Sequence, residues 1–311
     1  MSFDLVSLSW LLIGLLQGLL LLIIAPLMAG ISRQIKARMQ SRRGPGILQE
    51  YRDIIKLFAR QEVAPTNAGL IFRAMPFILI GSMLLLATIL PIITVGSPLG
   101  TVADLIAIIY IFAIFRFFFS LSGLDSGSPF AGIGASRELM LGILVEPILM
   151  LSLIVVAIIA GTTNITQINL FFMAQWGGKA PTAAMIALVA CAFAVFIEMG
   201  KIPFDYAEAE QELQEGPLTE YSGVSLALVK VGLSLKQIVI VSLFLAIFFP
   251  SPNVNIFCLV GLFLIKLLIV FVIACVIENS LCRGRFLLTA KVTWVGFGIS
   301  VLAYVFYLVS L

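Results

Sequence analysis

The chain of 311 residues contains no histidine, only four cysteines, and charged side chains at just 11% of its positions. Each shortage excludes something. Without histidine there is no histidine-ligated haem. Cys191, Cys258, Cys275 and Cys282 are scattered through apolar stretches with no C-x-x-C pair. That spacing supports no iron–sulfur cluster, zinc site or disulfide framework. The chain is therefore expected to bind no cofactor and no metal of its own, its thiols serving as small hydrophobes. Soluble enzymes carry charge at roughly a quarter of positions, and disordered chains combine low hydrophobicity with high net charge. A chain that is 61% hydrophobic, with a mean hydropathy of +1.15 and a net charge of +3, fits neither description. The small net charge also gives no reason to expect a nucleic-acid partner.

What is abundant is apolar sequence in long runs. Stretches long enough to cross a bilayer, about 20 residues each, fall near Leu5–Ile31, Ala74–Ile93, Val102–Leu121 and Leu139–Ala160. Four more fall near Ala183–Gly200, Val224–Phe249, Ile256–Ile277 and Val292–Leu311. The expected fold is an all-α integral membrane protein of eight transmembrane helices, one membrane domain over residues 1–311. The sixth run is the least regular, because Lys230 and Lys236 interrupt its first half. No basic residue precedes Arg33, so the N-terminus does not have the pattern of a cleavable signal peptide. The loops after helices one, three, five and seven hold fourteen basic residues, and the other loops hold only Lys179. Basic loops stay in the cytoplasm, which predicts both termini outside it, in the cell inner (plasma) membrane. Asp4 on the outer N-terminus agrees with that orientation.

Two of the loops on the basic side stand out. Residues 32–73 carry nine basic and three acidic residues. Within them, Gln49–Gln61 places Tyr51, Ile54, Ile55, Leu57 and Phe58 among charges at helical spacing, as an amphipathic interfacial helix would. The turn Arg42-Arg43-Gly44-Pro45-Gly46 just before it is too rigid and polar for lipid and suits a docking surface. A basic loop attracted to anionic lipid is the plainer reading of the same residues. Residues 201–223 are the reverse. They hold Asp205, Glu208, Glu210, Glu212, Glu215 and Glu220, and no basic residue occurs from Ile202 to Val229. Asp205 and Glu208 have the spacing of a capping box. A short helix is expected to run on through Leu213, with Glu208, Glu212 and Glu215 on one face. Such carboxylates either form a solvated loop or share cations and protons.

Charges inside a spanning helix cost roughly 2.5–3.5 kcal/mol or more, which makes them functional candidates. Arg116, Glu146 and Glu198 are expected at similar depth near the basic side. They form either an ion pair or part of a proton relay. Lys230 and Lys236 continue a polar track or snorkel. Lys266 falls near the middle of helix seven, where a lysine calls for a carboxylate, a water-filled cavity or a neutral state.

The segment IEMGKIPFDYAEAEQELQEGPLTEYSG, Ile197–Gly223, resembles the acidic-loop motif of the subunit 1 family of respiratory complex I, a family of membrane subunits. That motif reads approximately E-x-N-R-x-P-F-D-L-x-E-x-E-x-E-L-V-x-G-x-x-x-E-Y. Glu198, Pro203, Phe204, Asp205, Glu208, Glu210, Glu212, Leu213, Gly216, Glu220 and Tyr221 match it. Lys201 stands in place of its arginine, Gly200 of its asparagine, Tyr206 of its leucine and Gln214 of its valine. Arg137 and Glu146 keep the nine-residue separation of the family's arginine and helix-four glutamate. Gly44, Pro45, Gln49, Asp53, Lys56 and Leu57 fall on its first-loop positions. The departures point to a branch. SRRGPGILQEYRDIIKL is shorter than the complex I loop, and SGLDSGSPFAGIGASRE looks like the membrane subunit of group 4 nickel–iron hydrogenases, of formate hydrogenlyase or hydrogenase-4 type.

The resemblance implies a non-catalytic membrane anchor in a formate-to-hydrogen complex. Its partners would be the nickel–iron hydrogenase large and small subunits, iron–sulfur electron-transfer subunits and an antiporter-like membrane subunit. The nickel–iron centre and the clusters would reside in those partners. Docking would use Arg42, Arg43, Gly44, Pro45, Gly46, Gln49, Tyr51, Asp53 and Lys56. A proton pathway would draw on Arg116, Glu146, Glu198, Lys201, Asp205, the loop glutamates, Lys230, Lys236 and Lys266. The rival readings are a quinone-site subunit of a proton-translocating NADH:quinone oxidoreductase, a stand-alone cation transporter, and a passive scaffold. No inverted repeat is visible to favour the transporter.

Overall fold

The computed structural model describes residues 5–100, 102–207, 210–252, 254–284 and 286–310. Asp4, Glu208 and Arg285 lie outside the described residues, as does the side chain of Glu210. In chain order the helices are α1 (Leu5–Met39), α2 (Gln49–Phe58), α3 (Leu70–Ile89), α4 (Leu105–Asp125), α5 (Pro129–Ala160) and α6 (Ile165–Ala174). They continue as α7 (Pro181–Glu198), α8 (Glu210–Leu213), α9 (Gly223–Phe248), α10 (Ile256–Ser280) and α11 (Phe286–Ser310). Eight are long and apolar enough to cross a membrane, and no strand is present among the described residues. The expected count of spans holds.

Several boundaries differ from the expected ones for local reasons. α3 stops at Ile89, two residues before Pro91, whose ring would collide with the preceding turn. α5 begins at Pro129, ten residues before the apolar run, because Pro129 sits in the first turn, where its missing N–H costs nothing. α1 continues past its apolar run to Met39 through Arg33, Lys36 and Arg38. α6, between α5 and α7, is an element that the sequence reading does not contain. Asn164 starts it by accepting a 3.0 Å hydrogen bond from the Thr166 amide.

α9 is the axis of the bundle. The most apolar stretch of α9 is 78% buried, against 22% in both α10 and α11. So the irregular sixth run, with its two lysines, is the most enclosed span among the described residues. Its far end from the basic loops leaves carbonyls unpaired in the usual way of helix termini, and side chains from other elements satisfy them. The Asn169 amide donates to Ala246 O at 2.8 Å, and the Trp176 indole donates to Phe248 O at 3.0 Å. Lys266 donates to Phe249 O at 2.8 Å, just beyond the last turn. At the end of α3, fully buried Gln17 of α1 donates to Ala87 O and Leu90 O, each at 2.6 Å, and accepts from the Ile93 amide. The sequence thus places single polar residues in apolar helices where a neighbouring helix ends.

Candidate functional site

At the basic end of the bundle α1, α4, α5, α7, α9 and α10 enclose a cavity of about 340 Å³. A single water needs roughly 10–15 Å³, so the cavity has room for many. Its walls are ionic, with Arg116, Glu138, Glu198, Lys201, Lys236 and Glu278 among the lining residues.

One wall is a cluster around Arg116 of α4. Its guanidinium meets Glu146 of α5 at 2.6 Å, Glu198 of α7 in a short contact, and Glu138 of α5 at 3.5 Å. Lys236 of α9 approaches Glu198 at 3.4 Å and Glu138 at 3.8 Å. Its ammonium also lies 4.7 Å from the centre of the Phe115 ring, a cation–π distance. Arg116, Glu138, Glu198 and Lys236 are all buried. Gly142 makes the arrangement possible. A side-chain carbon there would collide with the Arg116 stem, so only glycine lets α5 run alongside the guanidinium. Three carboxylates share two cations among the described residues, which leaves the cluster one charge negative when all are ionised. Of the three, Glu146 is the most open, with its side chain 36% exposed. Isolated charges in a low dielectric cost several kcal/mol each, and mutual pairing recovers that only with good geometry. The formal count therefore leaves one carboxylate of the cluster without a cation of its own among the described residues.

A second cluster lines the same cavity. Glu278 of α10 binds Lys36 of α1 at 2.8 Å and Lys201, just after α7, at 3.2 Å. Buried Glu50 of α2 pairs with Arg33 of α1 at 2.6 Å.

The structure gathers some of the expected residues and separates others. Arg116, Glu146, Glu198 and Lys236 share one cluster, and Lys201 belongs to the second through Glu278. Lys230 and Glu215 line the cavity with no ion pair among the described residues. Glu220 also has no ion pair among them. Lys266 meets no carboxylate among the described residues. Its ammonium donates to the Phe249 carbonyl and to Ser251 Oγ at 2.9 Å, at the end of α9 remote from the cluster. A space of about 20 Å³ beside it has room for a single water.

The expected capping box of Asp205 and Glu208 falls partly outside the described residues, since Glu208 is not among them. Asp205 is held by Arg283 at 2.6 Å, from the connection after α10, and a helix is described over Glu210–Leu213. Glu212 pairs with Arg137 at 2.7 Å. Glu215 lies past the helix with a φ of 72°, so Glu212 and Glu215 do not share a helical face. Arginines from α5 and from the 281–284 connection thus pair with Glu212 and Asp205. Tyr221 closes the loop, stacked on Phe72 at 4.1 Å and donating to the Phe72 carbonyl at 2.8 Å. Burial pushes its phenol pKa well up.

The first loop divides into two parts. Arg42, Arg43, Pro45 and Gly46 are exposed, and Gly44 is half-buried against α1. Tyr51 turns inward and donates to the Ile23 carbonyl of α1, while the Gln49 amide is occupied by Asp53 at 2.8 Å. Burial raises the Tyr51 pKa as well. Lys56 remains exposed.

Three carboxylates of the site, Glu50, Glu138 and Glu278, escape the sequence reading. Glu138 falls in a loop if α5 starts at Leu139, as its apolar run suggests. Glu278 sits at the end of an apolar run, where an interfacial charge draws no notice. The signal for Glu138 is available in part, since helical spacing from Glu138 to Glu146 puts the two on one side of a continuous helix.

Among the described residues no group of three or more cysteine, aspartate or glutamate side chains is arranged to hold a metal ion.

A polytopic helix bundle with an ion-lined chamber at its basic end is the class of protein these features define. The chain belongs to the NADH dehydrogenase family, whose model matches residues 12–309. This is the complex I-like membrane family that the acidic motif indicated. The chain is 59% identical to hydrogenase-4 component C of Escherichia coli (strain K12), over 96% of both chains. It is 52% identical to formate hydrogenlyase subunit 4 of the same organism, over 94% of this chain and 96% of that one. Its structure is similar to a chain of the membrane-bound sulfane sulfur reductase, an archaeal respiratory membrane complex. The TM-score is 0.82 at 27% identity, over 94% of this chain and 98% of that one.

Proposed function

We propose that this chain is the membrane-anchor subunit of a group 4 nickel–iron hydrogenase complex, of hydrogenase-4 or formate hydrogenlyase type. It seats the soluble electron-transfer module and links it to a proton pathway. The similarity to the two Escherichia coli subunits along nearly the whole chain carries the first part. The underbalanced cluster of Arg116, Lys236, Glu138, Glu146 and Glu198 at the cavity wall carries the second. In this reading the basic loops lie in the cytoplasm and the membrane is the cell inner membrane. The soluble partners carry the nickel–iron centre and the iron–sulfur clusters, and an antiporter-like subunit packs alongside in the bilayer. Electron arrival in the docked module changes the charge at the cavity mouth. The cluster answers by gaining or releasing a proton. Arg116, Glu146, Glu198 and Lys236 form the core of the pathway, and Glu138 joins them. Lys266 has a structural role at the far end of α9.

The exposed turn at Arg42 and Arg43 is the docking surface. Purifying the tagged chain and identifying the subunits that come with it tests the assignment. Co-purifying hydrogenase subunits are expected. Reversing the charge at both residues (Arg42→Glu with Arg43→Glu) is expected to release the soluble subunits from washed membranes at moderate salt. If they stay bound, the turn is not the seat.

A further inference from the structure

The face of α2 turned away from the bundle is an independent feature that neither the cavity nor the docking turn uses. We infer that this face is a binding surface for the headgroups of anionic phospholipids in the leaflet on the basic side.

The depth of α2 is the first observation. Tyr51 donates to the carbonyl of Ile23, eight residues back from Ile31, where the apolar run of α1 ends. At the helical rise that is about 12 Å below the edge of the run. The chain just before α2 presses directly on α1 at Gly30, where a side chain would collide with the Ile47 carbonyl. So α2 lies beside the membrane-spanning part of α1, not above it.

The second observation is how the helix divides its surface. With successive residues about 100° apart, buried Glu50 and Ile54 mark the side facing the bundle. Leu48, 56% exposed, and Ile55, 67% exposed, fall together on the outer side, with Phe58 near them. Arg52 and Lys56, one turn apart and both exposed, occupy the adjoining sector, and Arg60 follows just past the helix end. These three cations have no ion pair among the described residues, and the nearest acid, Asp53, is engaged by Gln49. Two like charges one turn apart repel, so the arrangement calls for an anion from outside the chain. Apolar side chains at membrane depth beside unpaired cations match an acyl region beside a phosphate layer. A soluble acidic protein would cover the cations but would leave Leu48 and Ile55 without apolar partners at that depth.

The test uses the full chain in its purified complex, exchanged into mixed phosphatidylglycerol and phosphatidylcholine. Lipid retained after delipidation is counted by native mass spectrometry. The parent is expected to keep phosphatidylglycerol in preference to phosphatidylcholine. The double variant Arg52→Gln with Lys56→Gln should lose that preference by about tenfold or more. Both side chains are exposed, so the fold should survive, and an unchanged melting midpoint checks it. Equal retention by parent and double variant would overturn the inference. A second arm places a fluorophore on the exposed face through Ile55→Cys, in a chain whose four native cysteines are replaced by serine or alanine, and adds brominated phosphatidylglycerol. Quenching in the assembled complex supports a lipid contact. Quenching that disappears on assembly would show that a protein partner occupies the face, and the inference would fail.

Discussion

Arg116 touches carboxylates from two helices, and each contact has a different weight. Glu198 is buried and shared with Lys236, so it holds both cations of the cluster. Glu146 is partly open and meets Arg116 alone. Removing one partner from a buried pair costs about 3–5 kcal/mol, because a charge is stranded, whereas a partly exposed pair is worth about 1 kcal/mol or less. Glu198→Gln is therefore expected to lower the melting midpoint of the purified complex clearly, and Glu146→Gln only slightly. Arg116→Met should be the most damaging, since it leaves three carboxylates with one lysine. A thermal-shift series across the three variants checks the order. Glu146→Gln then becomes the informative variant for coupling, because it removes a titratable group with little effect on stability. Hydrogen evolution that becomes less responsive to a proton gradient is the expected outcome. Hydrogen evolution and gradient response equal to the parent would favour the passive scaffold.

At the scale of elements, polar residues in apolar helices serve mainly as caps for their neighbours. Gln17 satisfies the end of α3, and Asn169, Trp176 and Lys266 satisfy the end of α9. A buried group left without its partner costs about 1–3 kcal/mol. Gln17→Leu strands two carbonyls and one amide that are buried, so it should destabilise the bundle more than Lys266→Met, which frees two carbonyls and one hydroxyl in a more open setting. Chemical denaturation of the purified complex in detergent compares them, and Lys266→Met should leave gradient response intact. The same logic explains what the sequence discloses. Eight spans are legible because bilayer-length apolar runs have few other uses, and α2 is legible from its periodicity. The start of α5 is hidden, because Ser128 to Glu138 is polar enough to pass for a loop while forming helix against the acidic segment. Glu138 is hidden with it. The short helix through Leu213 is legible from the acidic spacing, but spacing alone does not show that Arg283, far along the chain, pairs with Asp205. Lys266 is legible as unusual, but its partners are carbonyls from a different helix end, which no linear pattern reveals.

For the whole molecule, the cavity joins what the separate clusters leave apart. The Arg116 cluster on α4, α5, α7 and α9 and the Glu278 cluster on α1 and α10 both line the same half-open space of about 340 Å³. Neither cluster contacts the other directly among the described ion pairs, so any proton moving between them needs water in that space. Water is the natural content, because a wall with this many ionised groups is costly to leave dry. Filling the cavity without altering a charge separates the role of the water from that of the ionic residues. Ser234 lines it from α9, and Ala29 lines it from α1. Ser234→Phe and Ala29→Phe introduce apolar bulk while every carboxylate and ammonium stays in place. The complex should still assemble, since the docking turn lies outside the cavity. Formate-driven hydrogen evolution in detergent, where no gradient exists, should change little. In sealed vesicles the same variants should lose much of their response to an imposed proton gradient. The unaltered complex supplies the control, and Glu146→Gln supplies the comparison, because it removes the carrier and not the medium. If the filled variants respond to the gradient as the parent does, protons reach the module by a route outside this chamber, and the chain's part in the complex is to hold it at the membrane.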